Sequence, residues 1–334
     1  MEYLLEVKGL RTCFFTDAGV VKAVDDVSFR MAEGEVLGLV GESGCGKTVT
    51  SLSLMRLVSP PGRIVGGEIN FKGQDLLALP ESKMRALRGS EIGMVFQEPA
   101  AALNPVFTIG YQVAESLIIH RKASRKDALK EAGKMLREVA LPDPERRLGE
   151  YPHQLSGGMR QRVMIAMALI CGPSLLIADE PTTALDVTIQ AQILYEVQKL
   201  ARETGTAMMW ITHDLSVIAG LADEVCVMYA GRIVESGPTA NLLDRPLHPY
   251  TAGLIESIPS RNLRGKPLNQ IPGMTPSLLK LKPGCAFRDR CARADAACGA
   301  APDITRPSPA RTLRCFHPAT APLTKDQLMK WRHC

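Results

Sequence analysis

The first two-thirds of the chain contain short runs of apolar residues. Each run ends at a glycine, an acid or a polar turn. Four of these runs are predicted to be buried strands, at residues 36–40, 175–178, 207–212 and 224–229. Stretches of helix-forming composition, such as 48–57 and 188–202, lie between them. Continuous apolar runs are typical of strands covered on both faces, so the alternation predicts an α/β fold.

The pattern changes to a purely helical one between Gln97 and Tyr151. Residues 109–120 and 125–139 have helix-forming composition, and no strand-like run separates them. This predicts a helical subdomain at about residues 99–159.

The length of 334 residues allows about two domains. No segment reaches the roughly 18–20 apolar residues of a transmembrane helix, because the longest uncharged stretch, 163–178, is broken by Gly172-Pro173. The first ten residues carry acids among their apolar positions, unlike a secretory signal. We therefore expect a cytoplasmic protein.

Charge and proline content change near residue 260. Residues 1–260 hold 26 Lys and Arg against 31 Asp and Glu, a net charge of −5, whereas residues 261–334 hold 14 against 4, a net charge of +10. Nine of the 23 prolines lie in the last stretch. The shift predicts a core of residues 1–236 and an irregular, loop-rich extension of residues 237–334.

A glycine-rich loop separates the first predicted strand from a predicted helix. It fits the pattern G-x-x-x-x-G-K-[ST] in full and consists of Gly41, Glu42, Ser43, Gly44, Cys45, Gly46, Lys47 and Thr48. Such a loop turns backbone N–H groups toward phosphates, while Lys47 supplies a positive charge and the Thr48 hydroxyl can ligate Mg²⁺. The motif predicts a nucleoside triphosphate site, and we interpret Cys45 as a small residue that the loop tolerates.

Two acids, Asp179 and Glu180, close the predicted strand 175–178. An aspartate at a strand end can hold Mg²⁺ through water, and an adjacent glutamate can act as a general base toward an attacking water. Alone, the pair is equally compatible with a solvated loop; together with the phosphate loop it predicts hydrolysis.

A second helix with an open N-terminus is predicted at Leu155-Ser156-Gly157-Gly158-Met159. Ser156 can cap this helix, and Gly157 and Gly158 leave its first amides open to an anion. A capped helix that binds no ligand is the alternative that the bare pattern leaves open.

The complete motif set resembles the ATP-binding subunits of ABC transporters. The set comprises the phosphate loop, Gln97 after residues 91–96, LSGGMRQR at 155–162, LLIADEPT at 175–182, ALD at 184–186 and ITHD at 211–214. These segments stand in the order of the family and cover residues 5 to about 236. The resemblance implies a P-loop NTPase core, with a cysteine-rich C-terminal extension, that hydrolyses ATP with Mg²⁺.

The resemblance also gives roles to single residues. Gln97 would contact Mg²⁺ or the water and sense the membrane partner, and His213 would be the switch histidine at the γ-phosphate. Asp186 would lie at a dimer interface. Phe14 would stack on adenine; Phe15 is the alternative for that role, and core packing is the alternative explanation for either ring.

Partners follow from the same resemblance. In the family, ATP is sandwiched between the phosphate loop of one subunit and the LSGGM segment of another, so a second ATPase subunit is required. We expect a homologous heterodimer partner, and a homodimer is the alternative. Two membrane-spanning permeases and an extracytoplasmic solute-binding protein would complete an importer. The chain itself would lie at the cytoplasmic face of the bacterial inner membrane.

Further segments narrow the resemblance to dipeptide and oligopeptide (peptide/nickel) importers. They are QEPAAALNPVFTIG at 97–110, AVDDVSF at 23–29, HPYT at 248–251 and the cysteine-containing tail. A soluble ABC-type ATPase acting on nucleic acid is the alternative function. It is disfavoured because the basic tail lacks aromatic residues interleaved with its arginines.

Four of the nine cysteines are clustered in the extension, at Cys285, Cys291, Cys298 and Cys315. Their spacing matches neither the C-x₂-C pairs of zinc ribbons nor the run of bacterial ferredoxins, so spacing alone leaves the metal open. Similar tails in peptide importer ATPases are associated with a 4Fe–4S cluster, which the resemblance therefore implies; zinc and free thiols are the alternatives. We expect the centre to staple an irregular segment and to leave nucleotide binding unaffected, because the two sites are predicted to lie in different domains.

Overall fold

The predicted strands and helices are present in the structure, a computed structural model that describes residues 3–182, 186–259, 262 and 267–319. The strands are β1 (Leu5–Thr16), β2 (Gly19–Met31), β3 (Val36–Val40), β4 (Gly62–Phe71), β5 (Gln74–Asp75), β6 (Ile92–Val95), β7 (Leu175–Asp179), β8 (Ala207–Thr212), β9 (Glu224–Tyr229), β10 (Arg232–Pro238), β11 (Thr305–Ser308) and β12 (Arg311–Leu313). The helices are α1 (Lys47–Leu54), α2 (Glu81–Leu87), α3 (Pro99–Ala102), α4 (Ile109–His120), α5 (Arg125–Glu138), α6 (Pro144–Arg147), α7 (Gly157–Leu169), α8 (Val187–Thr204), α9 (Leu215–Leu221), α10 (Thr239–Asp244) and α11 (Pro249–Glu256).

The chain forms two units that interleave along the sequence. The first unit contains Met31–Val36 and Phe71–Ile211, and the second contains Leu5–Arg30, Leu37–Asn70 and the chain from Thr212 onward. The boundary predicted near residue 237 stays a prediction.

Three parallel strands, in the order β8-β7-β6, form the sheet of the first unit. Every residue of β7 and β8 is buried, which explains why these strands are continuous apolar runs in the sequence. The register places Ala178 beside Val95 and Trp210, and Asp179 beside Ile211. The carboxyl ends of β6 and β7 therefore meet at one edge of the sheet, where the polar candidates begin.

Helices α3 to α7 follow β6 and confirm that the middle of the chain is helical. The hydroxyls of Thr108 and Ser124 accept backbone N–H bonds at the starts of α4 and α5, which fixes where each helix begins. Helix α7 is buried on most of its surface, and the guanidinium of Arg162 donates to the carbonyl of Val139 at 2.6 Å.

The second unit contains two sheets. Strands β2, β1 and β4 are neighbours in one, and β3, β9, β10, β12 and β11 follow one another in the other. Strand β3 pairs in parallel with β9, which places the loop after β3 beside the carboxyl end of β9. Strands β1, β2 and β4 alternate buried and exposed positions and carry charges, so they lack the continuous apolar runs that mark the central strands.

The extension contributes strands to this second sheet, which corrects the prediction that it is irregular throughout. Most of residues 267–319 is loop and short 3₁₀ turn, but β12 pairs with β10 and β11 pairs with β12. Arg311 of β12 donates to the carboxylate of Glu235, which is fully buried on β10. The same carboxylate accepts the N–H groups of Leu247 and His248, each at 2.9 Å, so its charge is compensated.

Helix α11 begins at the His248-Pro249-Tyr250 motif. The Nδ1 atom of His248 accepts the N–H of Tyr250 at 3.0 Å and caps the helix. His248 is 1% exposed, and burial lowers its pKa to about 3. Within the described residues, no helix is both long and apolar enough to cross a membrane.

We predict that acid destabilises the chain through His248. The folded-state pKa of about 3 lies below the ordinary value of 6.5, so between these pH values the unfolded chain binds a proton that the folded chain does not. Stability is therefore lost as the pH falls below 6.5, by about 1.4 kcal/mol per pH unit. Denaturant unfolding at pH 7.5 and 5.5 measures this difference. His248→Asn retains a capping oxygen without titrating, and an equally large loss of stability in that variant would exclude His248 as the cause.

Candidate functional site

The phosphate loop runs from β3 into α1 and is held in a conformation that requires glycine. Gly46 caps α1 with φ 107°, and a Cβ added there would lie 2.2 Å from the carbonyl oxygen of Ala23. A Cβ on Gly41 would lie 2.2 Å from the carbonyl oxygen of Met228. The backbones of β2 and β9 therefore touch the loop directly, whereas Ser43 and Gly44 at its tip are exposed.

The side chain of Lys47 bonds to the backbone of this loop from inside. Its ammonium donates to the carbonyl oxygens of Gly41 at 2.8 Å and Glu42 at 3.1 Å, and the residue is 4% exposed. Thr48 follows in the first turn of α1. Cys45 is fully buried, and burial raises the pKa of its thiol, which agrees with its interpretation as a packing residue.

The acidic pair lies at the end of β7 in the first unit. Asp179 is 1% exposed, and the next residue, Glu180, has φ 46°. The N–H of Glu180 donates to the carbonyl of Ile211 at 2.9 Å, which holds this left-handed conformation. The amide of Gln97 donates to the Glu180 carboxylate at 3.5 Å. The structure thus brings together two of the three residues predicted to act in hydrolysis.

The remaining motif residues lie at the starts of helices or just after strands. His213 is exposed directly after β8. The carboxylate of Asp186 accepts the N–H of Ile189 at 2.9 Å and caps α8. Ala184 and Leu185 of the same motif lie outside the described residues.

The LSGGM segment has the predicted open helix start. The hydroxyl of Ser156 accepts the N–H of Met159 at 3.4 Å and caps α7. Ser156 and Gly157 are exposed, Gly158 is the second residue of the helix, and a Cβ added to Gly157 would meet no atom within 4 Å. The first turn of α7 is therefore accessible.

The two candidate aromatic residues for adenine differ in exposure. Phe14 is half-buried, and its ring lies at Gly62, where an added Cβ would approach it to 2.7 Å. Phe15 is 44% exposed, with the guanidinium of Arg63 at 5.6 Å from its ring centroid. Both rings remain candidates, and the assignment of Phe14 stays a prediction.

Sequence reasoning missed a set of contacts on Glu42, the second residue of the phosphate loop. Arg290 of the extension donates to both carboxylate oxygens, at 2.7 and 2.9 Å. The hydroxyl of Thr275 donates to the same carboxylate at 2.9 Å, and the N–H of Glu42 donates to the hydroxyl of Tyr250 at 2.9 Å. The expectation that the extension is separate from the nucleotide site is therefore wrong. Of these three partners of Glu42, only Tyr250 lies in a segment that the sequence analysis marked, the HPYT segment.

The four clustered cysteines come together in the extension. The N–H of Cys285 donates to the carbonyl of Cys298 at 3.0 Å. Burial raises the pKa of Cys291 to about 11 and that of Cys315 to about 12, and the neighbouring thiols contribute to both shifts. Cys298 also belongs to a second set of possible metal ligands, because its sulfur lies within 4.8 Å of ligand atoms of Asp295 and His317.

Comparisons with known proteins identify the family of this chain. The oligopeptide transport ATP-binding protein OppD of Salmonella typhimurium is 49% identical over 315 residues, which cover 94% of this chain and 94% of that protein. This chain belongs to the ABC transporter ATP-binding proteins. The model of the ABC transporter family matches residues 24–183, and that of the oligopeptide/dipeptide transporter C-terminal region matches residues 234–298.

Two further matches cover most of this ABC ATPase. The dipeptide transport ATP-binding protein DppD of Bacillus subtilis is 49% identical over 318 residues, 95% of each chain. Among solved structures, the ATP-binding cassette MJ0796, in a dimeric post-hydrolysis state bound to ADP and Pi, aligns with a TM-score of 0.64 at 27% identity. That alignment covers 70% of this chain and 98% of MJ0796.

We predict that a charge at Gly157 blocks ATP-driven pairing of this ABC ATPase. A carboxylate in Gly157→Asp would face the γ-phosphate bound by the opposite subunit, and like charges about 4 Å apart repel by about 4 kcal/mol near a protein surface. ATP-dependent crosslinking of the dimer should be lost. ADP binding by the isolated subunit should persist, because its own nucleotide is predicted to bind at the phosphate loop and not at Gly157. Gly157→Ala, which adds bulk without charge, should retain crosslinking. Undiminished crosslinking of Gly157→Asp would show that the segment does not face ATP.

Proposed function

We propose that this chain is the ATP-hydrolysing subunit that energises uptake of peptides or related solutes through a membrane ABC importer. The observation that carries the proposal is the joint presence of a complete set of nucleotide-site motifs and an extension that matches the oligopeptide/dipeptide transporter C-terminal region. The relatives OppD and DppD are named as oligopeptide and dipeptide transport ATP-binding proteins over the same length. No observation on this chain favours the nucleic-acid alternative.

The residues of the site divide the reaction among them. The loop amides and Lys47 bind the phosphates of ATP, and Thr48, Asp179 and Gln97 are the proposed ligands of Mg²⁺. When bound, Mg²⁺ neutralises phosphate charge. Glu180 accepts a proton from the attacking water, and the Gln97 amide, which donates to its carboxylate, orients that carboxylate. His213 is proposed to contact the γ-phosphate.

A dimer supplies the second half of each nucleotide site. The chain carries two helix starts suited to anions, at Gly46 and at Ser156, and the similar cassette MJ0796 is dimeric when bound to ADP and Pi, which supports a paired state. We propose a homologous ATPase as the second subunit, with Asp186 at the interface. This chain would lie at the cytoplasmic face of the inner membrane, and two membrane-spanning permeases and an extracytoplasmic solute-binding protein would complete the importer.

We propose that the extension holds a metal centre with four thiolate ligands. Cys285, Cys291, Cys298 and Cys315 lie close enough for their charges to interact, and a centre of positive charge would stabilise all four thiolates at once. We propose a 4Fe–4S cluster that cross-links residues 285–315, a segment formed mainly of turns. Zinc on the same four thiolates is the alternative, and Asp295, Cys298 and His317 form a second set of donor types that suit zinc.

We predict that Glu180→Gln separates nucleotide binding from hydrolysis and from peptide uptake. Glutamine keeps the size of the side chain but cannot accept the proton, so ATP binding should persist while turnover falls by two or more orders of magnitude. Phosphate release by the assembled transporter and uptake of a labelled peptide by cells measure the two effects. Glu203→Gln, an exposed acid on α8, is the matched control. Near-normal turnover of Glu180→Gln would remove Glu180 from the mechanism, and wild-type hydrolysis without peptide uptake would overturn the transport proposal.

We predict about four irons per chain in protein purified without oxygen, with the brown colour of a Cys₄-ligated cluster. Cys291→Ser should lose the colour and most of the iron, whereas Cys334→Ser, which changes a cysteine outside the cluster, should keep both. Elemental analysis and visible absorption measure the outcome. Stoichiometric zinc without iron would overturn the cluster assignment and leave zinc as the structural metal of the extension.

A further inference from the structure

The Glu42 side chain of the phosphate loop is held by the extension through an ion pair with Arg290. Both of its oxygens accept bonds from the Arg290 guanidinium in a bidentate arrangement, and Thr275 adds a third bond. Bidentate arginine–carboxylate pairs are strong and fix orientation as well as distance. The loop and the extension therefore meet through a defined contact.

Arg290 is itself held in place before it reaches the loop. It is 7% exposed, its Nε donates to the carbonyl of Pro272 at 2.8 Å, and its Nη1 donates to the hydroxyl of Tyr229 at 3.3 Å. The guanidinium carbon lies 5.8 Å from the ring centroids of Tyr229 and Phe287. These contacts fix the side chain, so its position does not depend on Glu42 alone.

The charge of Glu42 makes this contact relevant to nucleotide binding. The carboxylate belongs to the residue after Gly41 and lies within electrostatic reach of the Lys47 ammonium. Without a partner, it would compete with phosphate for Lys47 and repel the nucleotide. Arg290 supplies the opposite charge and directs the carboxylate toward the extension.

Tyr250 holds the backbone of the same residue. Its hydroxyl accepts the N–H of Glu42, and its ring is fully buried against Tyr229, with centroids 4.6 Å apart, and against Phe287 at 5.4 Å. Lys47 holds the carbonyl of Glu42 from the other side. The backbone N–H, the carbonyl and the carboxylate of Glu42 are thus all fixed, in a loop whose conformation is otherwise unfavourable for most residues.

We propose that Arg290 and Tyr250 are positioning residues of the nucleotide site, which hold and neutralise Glu42 so that its carboxylate does not compete with the phosphates of ATP for Lys47 and the loop amides. The proposal deepens the proposed function and rests on ATP binding at this loop. Arg290 stands between Cys285 and Cys291, in a turn closed by bonds from Arg288 to Cys285 and from Arg290 to Phe287. Loss of the metal centre is therefore expected to weaken nucleotide binding through Arg290.

A charge-rescue cycle tests the proposal by calorimetric titration of the full chain with Mg·ADP and a non-hydrolysable ATP analogue. Arg290→Gln leaves an unpaired carboxylate in the loop and should raise the Kd for the ATP analogue about tenfold, the effect of losing roughly one charge-assisted bond. Adding Glu42→Gln removes that carboxylate, so the double variant should return to within about threefold of the wild type. Arg288→Ala, in the same turn but bonded to Pro283 rather than to the loop, should bind like the wild type.

A purely structural role for Arg290 predicts different results. In that case Arg290→Gln would lower the melting temperature without changing Kd, or the double variant would bind as weakly as the two single effects combined; either result overturns the proposal. Should Arg290→Gln fail to fold, the same titration is made with Tyr250→Phe, which removes only the hydroxyl. A Kd for the ATP analogue raised about threefold or more supports the proposal. An unchanged Kd overturns it.

The same titrations separate this proposal from the proposed function. A wild-type chain that binds no ATP would contradict the proposed function, whereas a wild type and variants that bind ATP equally would contradict only the positioning roles. Iron content is measured for each variant. An effect of Arg290→Gln at full iron content supports a direct contact, and an effect seen only with loss of iron overturns it.

Discussion

Close contact between backbones at the phosphate loop is the constraint on which this structure depends. The loop lies directly against the carbonyls of Ala23 on β2 and Met228 on β9, with no room for a side chain at Gly46 or Gly41. Strands from both sheets of the second unit must therefore be in place before the loop can adopt its shape. The Cys45 carbonyl, which accepts the N–H of Gly231 at 2.8 Å, ties the loop to the turn after β9 in the same way.

Side-chain hydrogen bonds add to the backbone contacts that hold the phosphate loop. Lys47 bonds to carbonyls inside the loop, and Tyr250 and Arg290 bond to Glu42 from outside. The aromatic cluster of Tyr229, Tyr250 and Phe287 provides the rigid base for these outside contacts, with all three rings at most 1% exposed. A loop that must bind a highly charged ligand is thus supported by an apolar cluster, which shields the Arg290 side of the ion pair from water.

The parts of this fold that could be predicted are those whose physics is local. Strands β7, β8 and β9 are continuous apolar runs because both faces are covered, and the starts of α5 and α7 are marked by Ser124 and Ser156. Strands β1, β2 and β4 were missed because half-exposed strands carry charges that obscure their periodicity. The motifs located the nucleotide residues, but the bond of Arg290 to Glu42 joins positions 248 residues apart. No spacing rule connects such residues, since their proximity depends on how the whole second unit folds.

The strand order in the second sheet also determines when its edge is protected during synthesis. Strand β10 has β9 on one side from the start, but its other side is covered by β12, which follows about 70 residues later in the chain. Until those residues are made, the unpaired N–H and C=O groups of β10 form an open edge of the kind that promotes pairing between nascent chains. The final edge strand, β11, is short, exposed and contains Pro307, which makes it a poor template for further strands. The extension therefore completes the folding of the sheet as well as reaching the nucleotide loop.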